Sequence, residues 1–143
     1  MTTVQDLYDQ GYHVWHADLS EPFENNNGPM LMKKQADGTW RSALVVEEKH
    51  LNALGTIHGG ALMSFADFSL FVFARSLFDG DFRAVTVSMN SDFLDGAVPG
   101  ELIEGIGEVT RETGSMIFSR GGLYAGDRCL LTFSGVIKKL RDQ

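Results

Sequence analysis

The sequence predicts an α+β fold in which a curved antiparallel sheet wraps around one long central helix. Three observations point there. Ile57 to Phe78 is a long apolar segment whose residues recur at helical spacing. After it come three long segments joined by short turns, the pattern of an antiparallel meander. Before it, Asp37-Gly38 sits between two short apolar runs and signals a hairpin. A hairpin, a buried helix and a meander in that order belong to the α+β class.

Taken in order, Val4, Leu7, Tyr8, Tyr12 and Trp15 form a helical stripe with acids early, which predicts an N-terminal helix over about 3–15. Leu19 to Gly28 has the composition of a loop. Pro29 to Lys34 and Thr39 to Val46 are the arms of the hairpin, and Glu47 to Gly55 is a connection carrying Asn52. The central helix is expected over about 58–78, closed by Asp79-Gly80. Met63, Asp67, Leu70, Phe71, Ala74 and Phe78 share one of its faces, while Leu62, Phe65, Ser69, Val72 and Phe73 cover most of the rest. A helix apolar nearly all round is a buried helix. Arg83 to Leu94 then alternates, with Val85, Val87, Met89 and Phe93 on one face and Thr86, Ser88, Asn90 and Asp92 on the other. Glu101 to Arg111, Ser115 to Tyr124 and Arg128 to Lys139 complete the meander, separated by Glu112-Thr113-Gly114 and Ala125-Gly126-Asp127.

The composition narrows the function classes. With 143 residues and 43% hydrophobic content, one domain with a real core is expected over 1–143. Sixteen glycines suggest tight turns or close backbone approach. A net charge of -7 argues against a nucleic-acid partner. The single cysteine, Cys129, leaves no disulfide within the chain and no cysteine-based zinc site, and it reads as a small core residue. His13, His16 and His50 lack metal-ligand spacing, so neither metal nor cofactor is expected. No basic residue precedes Lys33, which is unlike a secretory or transit signal. His58 and Asp67 inside the apolar segment argue against a membrane span, so the expected location is cytoplasmic. Aromatics along the late strands, among them Phe93, Phe118, Tyr124 and Phe133, suggest cover by a partner, so at least a homodimer is expected.

Two features of the central segment carry chemistry. Between His58 and Arg75 the only charged residue is Asp67, and a carboxylate among apolar neighbours must be paired, desolvated or functional. Gly59 and Gly60 fall where the first turn should begin. Backbone N–H groups there lack intrahelical partners and carry the positive end of the helix dipole. Without side chains in the way they could hold an anion or a developing oxyanion.

Asn52-Ala53-Leu54-Gly55-Thr56-Ile57-His58-Gly59-Gly60 followed by Asp67 resembles the signature of hotdog-fold acyl-CoA thioesterases, in particular the phenylacetyl-CoA (PaaI-type) branch. Thr86-Val87-Ser88-Met89-Asn90 resembles the strand that follows the helix in that branch, and the likeness runs from about Asn52 to Arg111. The resemblance implies hydrolysis of an acyl-CoA, with Asp67 as general base or nucleophile and Gly59 N–H as oxyanion donor. It also implies that Asn52 orients water or substrate, that His58 shapes the loop or binds near the thioester, and that Thr86 assists the carboxylate. Gly60, Phe68, Phe71, Arg111 and Ser115 would contact substrate. In such proteins the site forms where two subunits meet, and two dimers usually make a tetramer. Many relatives carry a basic residue where this chain has Ser115, which leaves Arg111, Arg120 and Arg128 as candidate cations for CoA. A hydratase or dehydratase of the same fold and a non-catalytic acyl-CoA-binding module are the alternative readings.

Overall fold

The computed structural model describes residues 1–16, 21–78 and 83–140. Among them it contains helix α1 (Val4–Asp9), helix α2 (Pro22–Asn27), strands β1 (Leu31–Lys34) and β2 (Trp40–Val45), helix α3 (Gly59–Phe73), and strands β3 (Ala84–Phe93), β4 (Leu102–Glu112), β5 (Met116–Ala125) and β6 (Arg128–Lys139). The strands form one antiparallel sheet in the order β1-β2-β4-β5-β6-β3. The hairpin and the β4–β5–β6 meander are both present, and β3 crosses to pair with β6 at an edge.

Helix α3 lies across one face of the sheet and touches β2 through β6. Phe65, Leu70 and Val72 pack into a core with Ile103, Ile117, Leu123, Leu131 and Ile137. The contact is close because the sheet presents glycines to the helix. A methyl group at Gly107 would sit 2.3 Å from the Phe73 ring, one at Gly135 2.5 Å from Leu70, and one at Gly105 2.0 Å from Ser42 Oγ. Ser42 and Ser69 share a buried hydroxyl–hydroxyl bond of 2.6 Å at this seat. The high glycine content thus reflects close approach as well as turns.

Four expectations are corrected. The N-terminal helix ends at Asp9 rather than near Trp15, because Gly11 takes a positive φ of 94° and the chain then pairs with β1 through His13 and Met32. Leu7 and Tyr12 pack with Leu31, Ala43 and Val45 in a separate cluster, away from α3. Within Leu19 to Gly28, expected to be loop, α2 forms instead, with Pro22 at its first position. Helix α3 ends at Phe73, five residues short of Phe78, and passes into a 3₁₀ turn over Arg75–Leu77. There the Arg75 guanidinium lies over the rings of Trp15 and Trp40, and Trp40 Nε1 donates to Ser76 Oγ, which draws the chain off the helix axis. The proposed close at Asp79-Gly80 lies outside the described residues.

The fourth correction concerns burial. Helix α3 is not covered all round: Gly60 is exposed, and Met63, Ser64, Asp67 and Phe71 are half-buried, forming a stripe that water reaches. Among the late-strand aromatics, Phe133 is core and stacks on Phe73, while Phe93 and Phe118 are exposed. Among the described residues no helix is long and apolar enough to cross a membrane.

Candidate active site

The loop that leads into α3 is built by its own side chains. Asn52 Oδ1 accepts from the amides of Leu54 and Thr56 at 2.9 and 3.2 Å, and Asn52 Nδ2 donates to Thr56 Oγ1 at 3.0 Å. Both ends of the Asn52 amide therefore work inside a local turn, the habit of Asn in loops. The loop is tied to its surroundings by Ile57 N–H, which donates to the Ala97 carbonyl, and by His58 N–H, which donates to the His50 carbonyl at 2.8 Å. His50 itself is buried. Its Nδ1 accepts from the Glu47 amide at 3.0 Å, so its Nε2–H donates to the Asn27 carbonyl at 2.6 Å. One residue thus connects the C-terminus of α2, through its ring, to the entrance of α3, through its backbone carbonyl.

His58 is the N-cap of α3. Its Nδ1 accepts from Gly60 N–H at 2.8 Å, which satisfies one of the donors that a helix start leaves open. Gly59 N–H, one residue earlier, has no hydrogen-bond acceptor among the described residues. A Cβ at Gly59 would press on the Phe93 ring at 3.3 Å, and one at Gly60 would press on the capping His58 nitrogen at 3.0 Å. The two glycines thus have different uses. Gly60 is bonded inside the cap, and Gly59 is the open donor at the positive end of the helix.

Asp67 lies two turns further along α3, and Thr86 Oγ1 donates to its Oδ1 at 2.5 Å. Strict alternation along β3 would have put Thr86 on the face opposite Met89. The structure places Thr86 toward the helix, together with Ser91, which donates to Met63 Sδ. A bulge at Val87, between the paired residues Thr86 and Ser88, reverses the facing.

Asp67 opens into a cavity of about 640 Å³ between α3 and the segment around α2. Phe68, Phe71, Met30 and Trp15 give it apolar walls, and Glu24 from α2 joins Asp67 there. Phe68 is buried and stacks on Phe65, while Phe71 is half-buried. Burial raises the Glu24 carboxyl from its ordinary 4.5 to about 7, with the charges of Glu21 and Asp67 adding to the rise. Sequence reasoning missed Glu24 because its segment was read as loop; Pro22 followed by an acid in the first turn was the signal that could have found it.

Of the candidate CoA cations, Arg120 is paired with Glu108 at 2.8 Å, and Arg128 with Glu101 and Asp95. Arg111 is exposed and has no ion pair among the described residues. It stands near the β4–β5 turn, where the Ser115 carbonyl accepts from Lys139 N–H.

Comparison with known proteins bears on the family and the fold. The sequence pattern of the Thioesterase superfamily matches residues 54–131, more than half of the chain. A Pseudomonas aeruginosa protein provisionally named as an esterase is 32% identical over 120 residues, covering 82% of this chain and 87% of its own. Among solved structures, a mutant of the phenylacetic acid degradation protein PaaI from Thermus thermophilus superposes with a TM-score of 0.71 at 23% identity, over 84% of this chain and 100% of its own. A Bacillus halodurans protein solved with CoA superposes with a TM-score of 0.75 at 15% identity, over 90% of this chain and 83% of its own. By sequence pattern and by architecture, this chain belongs to the thioesterase superfamily and has the hotdog fold.

Proposed function

We propose that this protein hydrolyses acyl-CoA thioesters to free acid and CoA, at a site assembled from two copies of the chain. Spacing along α3 carries this reading. Gly59 and Asp67 are eight residues apart on one helix, about 12 Å at 1.5 Å of rise per residue. Attacking water and carbonyl carbon must come within about 3.5 Å of each other. One helix therefore cannot offer both the base and the oxyanion donor to the same carbonyl, whereas two helices side by side can. The β3 edge supports such a pairing, since Val85, Val87, Phe93 and Leu94 are exposed along it and just beyond it. A row of unpaired strand groups with apolar side chains is a template for a second strand. Two such dimers would then associate as a tetramer.

In the assembled site Asp67 of one copy takes a proton from water as the water oxygen attacks the thioester carbon. The carbonyl electrons move onto oxygen, and Gly59 N–H of the other copy receives that charge. Collapse of the intermediate breaks the carbon–sulfur bond. The thiolate leaves and takes up the proton held by Asp67, so acid and thiol are formed from thioester and water. Thr86 fixes one carboxylate oxygen and leaves the other for water. His58 acts through Gly60, holding the helix mouth in shape, and Asn52 acts through its turn. Phe68 and Phe71 line the space for the acyl group, and Arg111 beside the Ser115 turn is the cation proposed to meet the CoA phosphates. The CoA held by the Bacillus halodurans neighbour supports the choice of carrier. Because the His58 ring is bound to Gly60 N–H, it is not presented as a base, which favours hydrolysis over hydration or dehydration.

Release of free thiol from short, medium, long and aromatic acyl-CoAs tests the proposal. Turnover on at least one member is expected, and Asp67→Asn should lower kcat by about 10²- to 10⁴-fold, the range of a lost general base, with folding and oligomeric state intact. Binding of the panel without turnover would leave a non-catalytic acyl-CoA-binding module instead.

A further inference from the structure

Helix α2 brings a second carboxyl into the cavity that Asp67 faces. The groups around Glu24 come from every side: Glu21 at the N-cap of its own helix, Asp67 from α3, His16 from the segment before it, and Arg83 from the entry to β3. Lys49 shares a neighbouring hollow with Glu21 and Glu24, but its ammonium is 3.3 Å from Glu47. Three carboxyls thus stand in one cavity with Arg83 as its only arginine or lysine among the described lining residues. The rest of the wall is apolar apart from Ser64, with Met30, Phe68 and Phe71 prominent in it.

We propose that Glu24 is a specificity-determining residue of the acyl cavity, which rejects acyl groups that carry a terminal carboxylate and admits uncharged ones of the same length. This rests on the reading of the cavity as the acyl site of a thioesterase. The physical reason is that an acyl chain entering past Asp67 ends among Glu24 and Glu21. A terminal carboxylate would there meet like charge in a half-dry space, with one guanidinium to offset it, and an unpaired like charge is a common way to exclude a competitor. An aliphatic or aromatic end meets the Phe and Met side chains instead and is unaffected. The rise of the Glu24 carboxyl to about 7 follows from the same enclosure and from the same two acids. It adds a consequence: the rejection is weaker at pH 6, where Glu24 is mostly protonated, and stronger at pH 8, where it is mostly ionised. A carboxylate on the acyl chain, with an ordinary value near 4, stays charged throughout.

The test uses length-matched pairs: butanoyl- against succinyl-CoA, pentanoyl- against glutaryl-CoA, and hexanoyl- against adipoyl-CoA. For each pair the ratio of kcat/KM, uncharged over carboxylated, is measured at pH 6 and pH 8 with the wild type and Glu24→Gln. Within a pair the ratio cancels every effect that acts on both substrates alike, and comparison with Glu24→Gln separates Glu24 from the other groups of the cavity. The ratio in the wild type should rise by about tenfold between the two pH values for at least one pair, the effect of one like-charge contact at short range. In Glu24→Gln it should be smaller at pH 8 and flat with pH. A ratio that does not change with pH, or that the substitution leaves unchanged, overturns the assignment while the thioesterase reading stands. If no thioester is hydrolysed, calorimetric binding of the same pairs reads the same ratio from Kd. A pH-dependent difference there supports the role of Glu24 in a binding protein, and equal or absent binding overturns it.

Discussion

Glu24 affects folding as well as selection. Its carboxyl is raised from 4.5 to about 7 in the folded protein. Between those values the native chain keeps a proton that the unfolded chain has lost, so stability falls as pH rises through this window. Below 4.5 both states are protonated and no penalty exists; above 7 both are ionised and the penalty is full. Glu24→Gln should therefore match the wild type in urea unfolding near pH 4 and exceed it at pH 8 by about 1 kcal/mol, once screening of a carboxyl that water still reaches is allowed for. At this scale the sequence was informative where a residue broke its local pattern. Asp67 stood out as the one acid in an apolar run, and His58 with its two glycines stood out as a helix start. Thr86 could be placed beside Asp67 by resemblance alone, since alternation gave it the opposite face and the bulge at Val87 leaves no mark in composition. Glu24 was hidden because its neighbours Asn25, Asn26 and Asn27 favour turns, although they close a short helix here.

Among the elements, α3 depends on the glycines beneath it. A methyl group at Gly107 would meet the Phe73 ring at 2.3 Å and the Arg120 carbonyl at 2.4 Å. The ring could turn aside, but the strand cannot. Gly107→Ala should thus cost about 3 kcal/mol, at the upper end for overpacking, seen as a lower urea midpoint with an unchanged slope. The elements most legible in the sequence were the long strands. β6 runs over Arg128–Lys139 as expected, and β4 and β5 differ from expectation by one residue at each end. Strong turn signals bounded them. The ends of α1 and α3 were not legible, because tertiary contacts decide them: a strand pairing through His13 in one case, and Arg75 over two tryptophans in the other.

For the whole molecule, the proposed assembly makes catalysis depend on the β3 edge. Val87 is more than half exposed there and belongs to no core cluster. Val87→Lys puts a charge on that edge without disturbing the interior, a device that keeps strand edges apart. Light scattering should find the wild type as a dimer or larger and the variant as monomer, and hydrolysis should be lost together with association. A variant that is monomeric and still active would remove the two-copy site. The hairpin, the meander and the central helix were readable from the sequence, whereas the crossing of β3 to pair with β6 was not. The proposed two-copy site, which the resemblance already implied, gains a geometric reason from the spacing of Gly59 and Asp67 on one rigid axis.

The buried His50 then acquires a wider reach. Its ring holds the end of α2, beside the cavity that Asp67 faces, and its carbonyl holds the entrance to α3, where Gly59 opens. In a two-copy enzyme those two places serve different reaction centres, one on each side of the symmetry axis. A single histidine, by its ring and its backbone carbonyl, therefore stands between both centres in each copy. In that proposed assembly two hydrogen bonds, Asn27 carbonyl to the His50 ring and His50 carbonyl to His58 N–H, join α2 at one centre to the residue before Gly59 at the other, and the pair of centres is expected not to turn over independently.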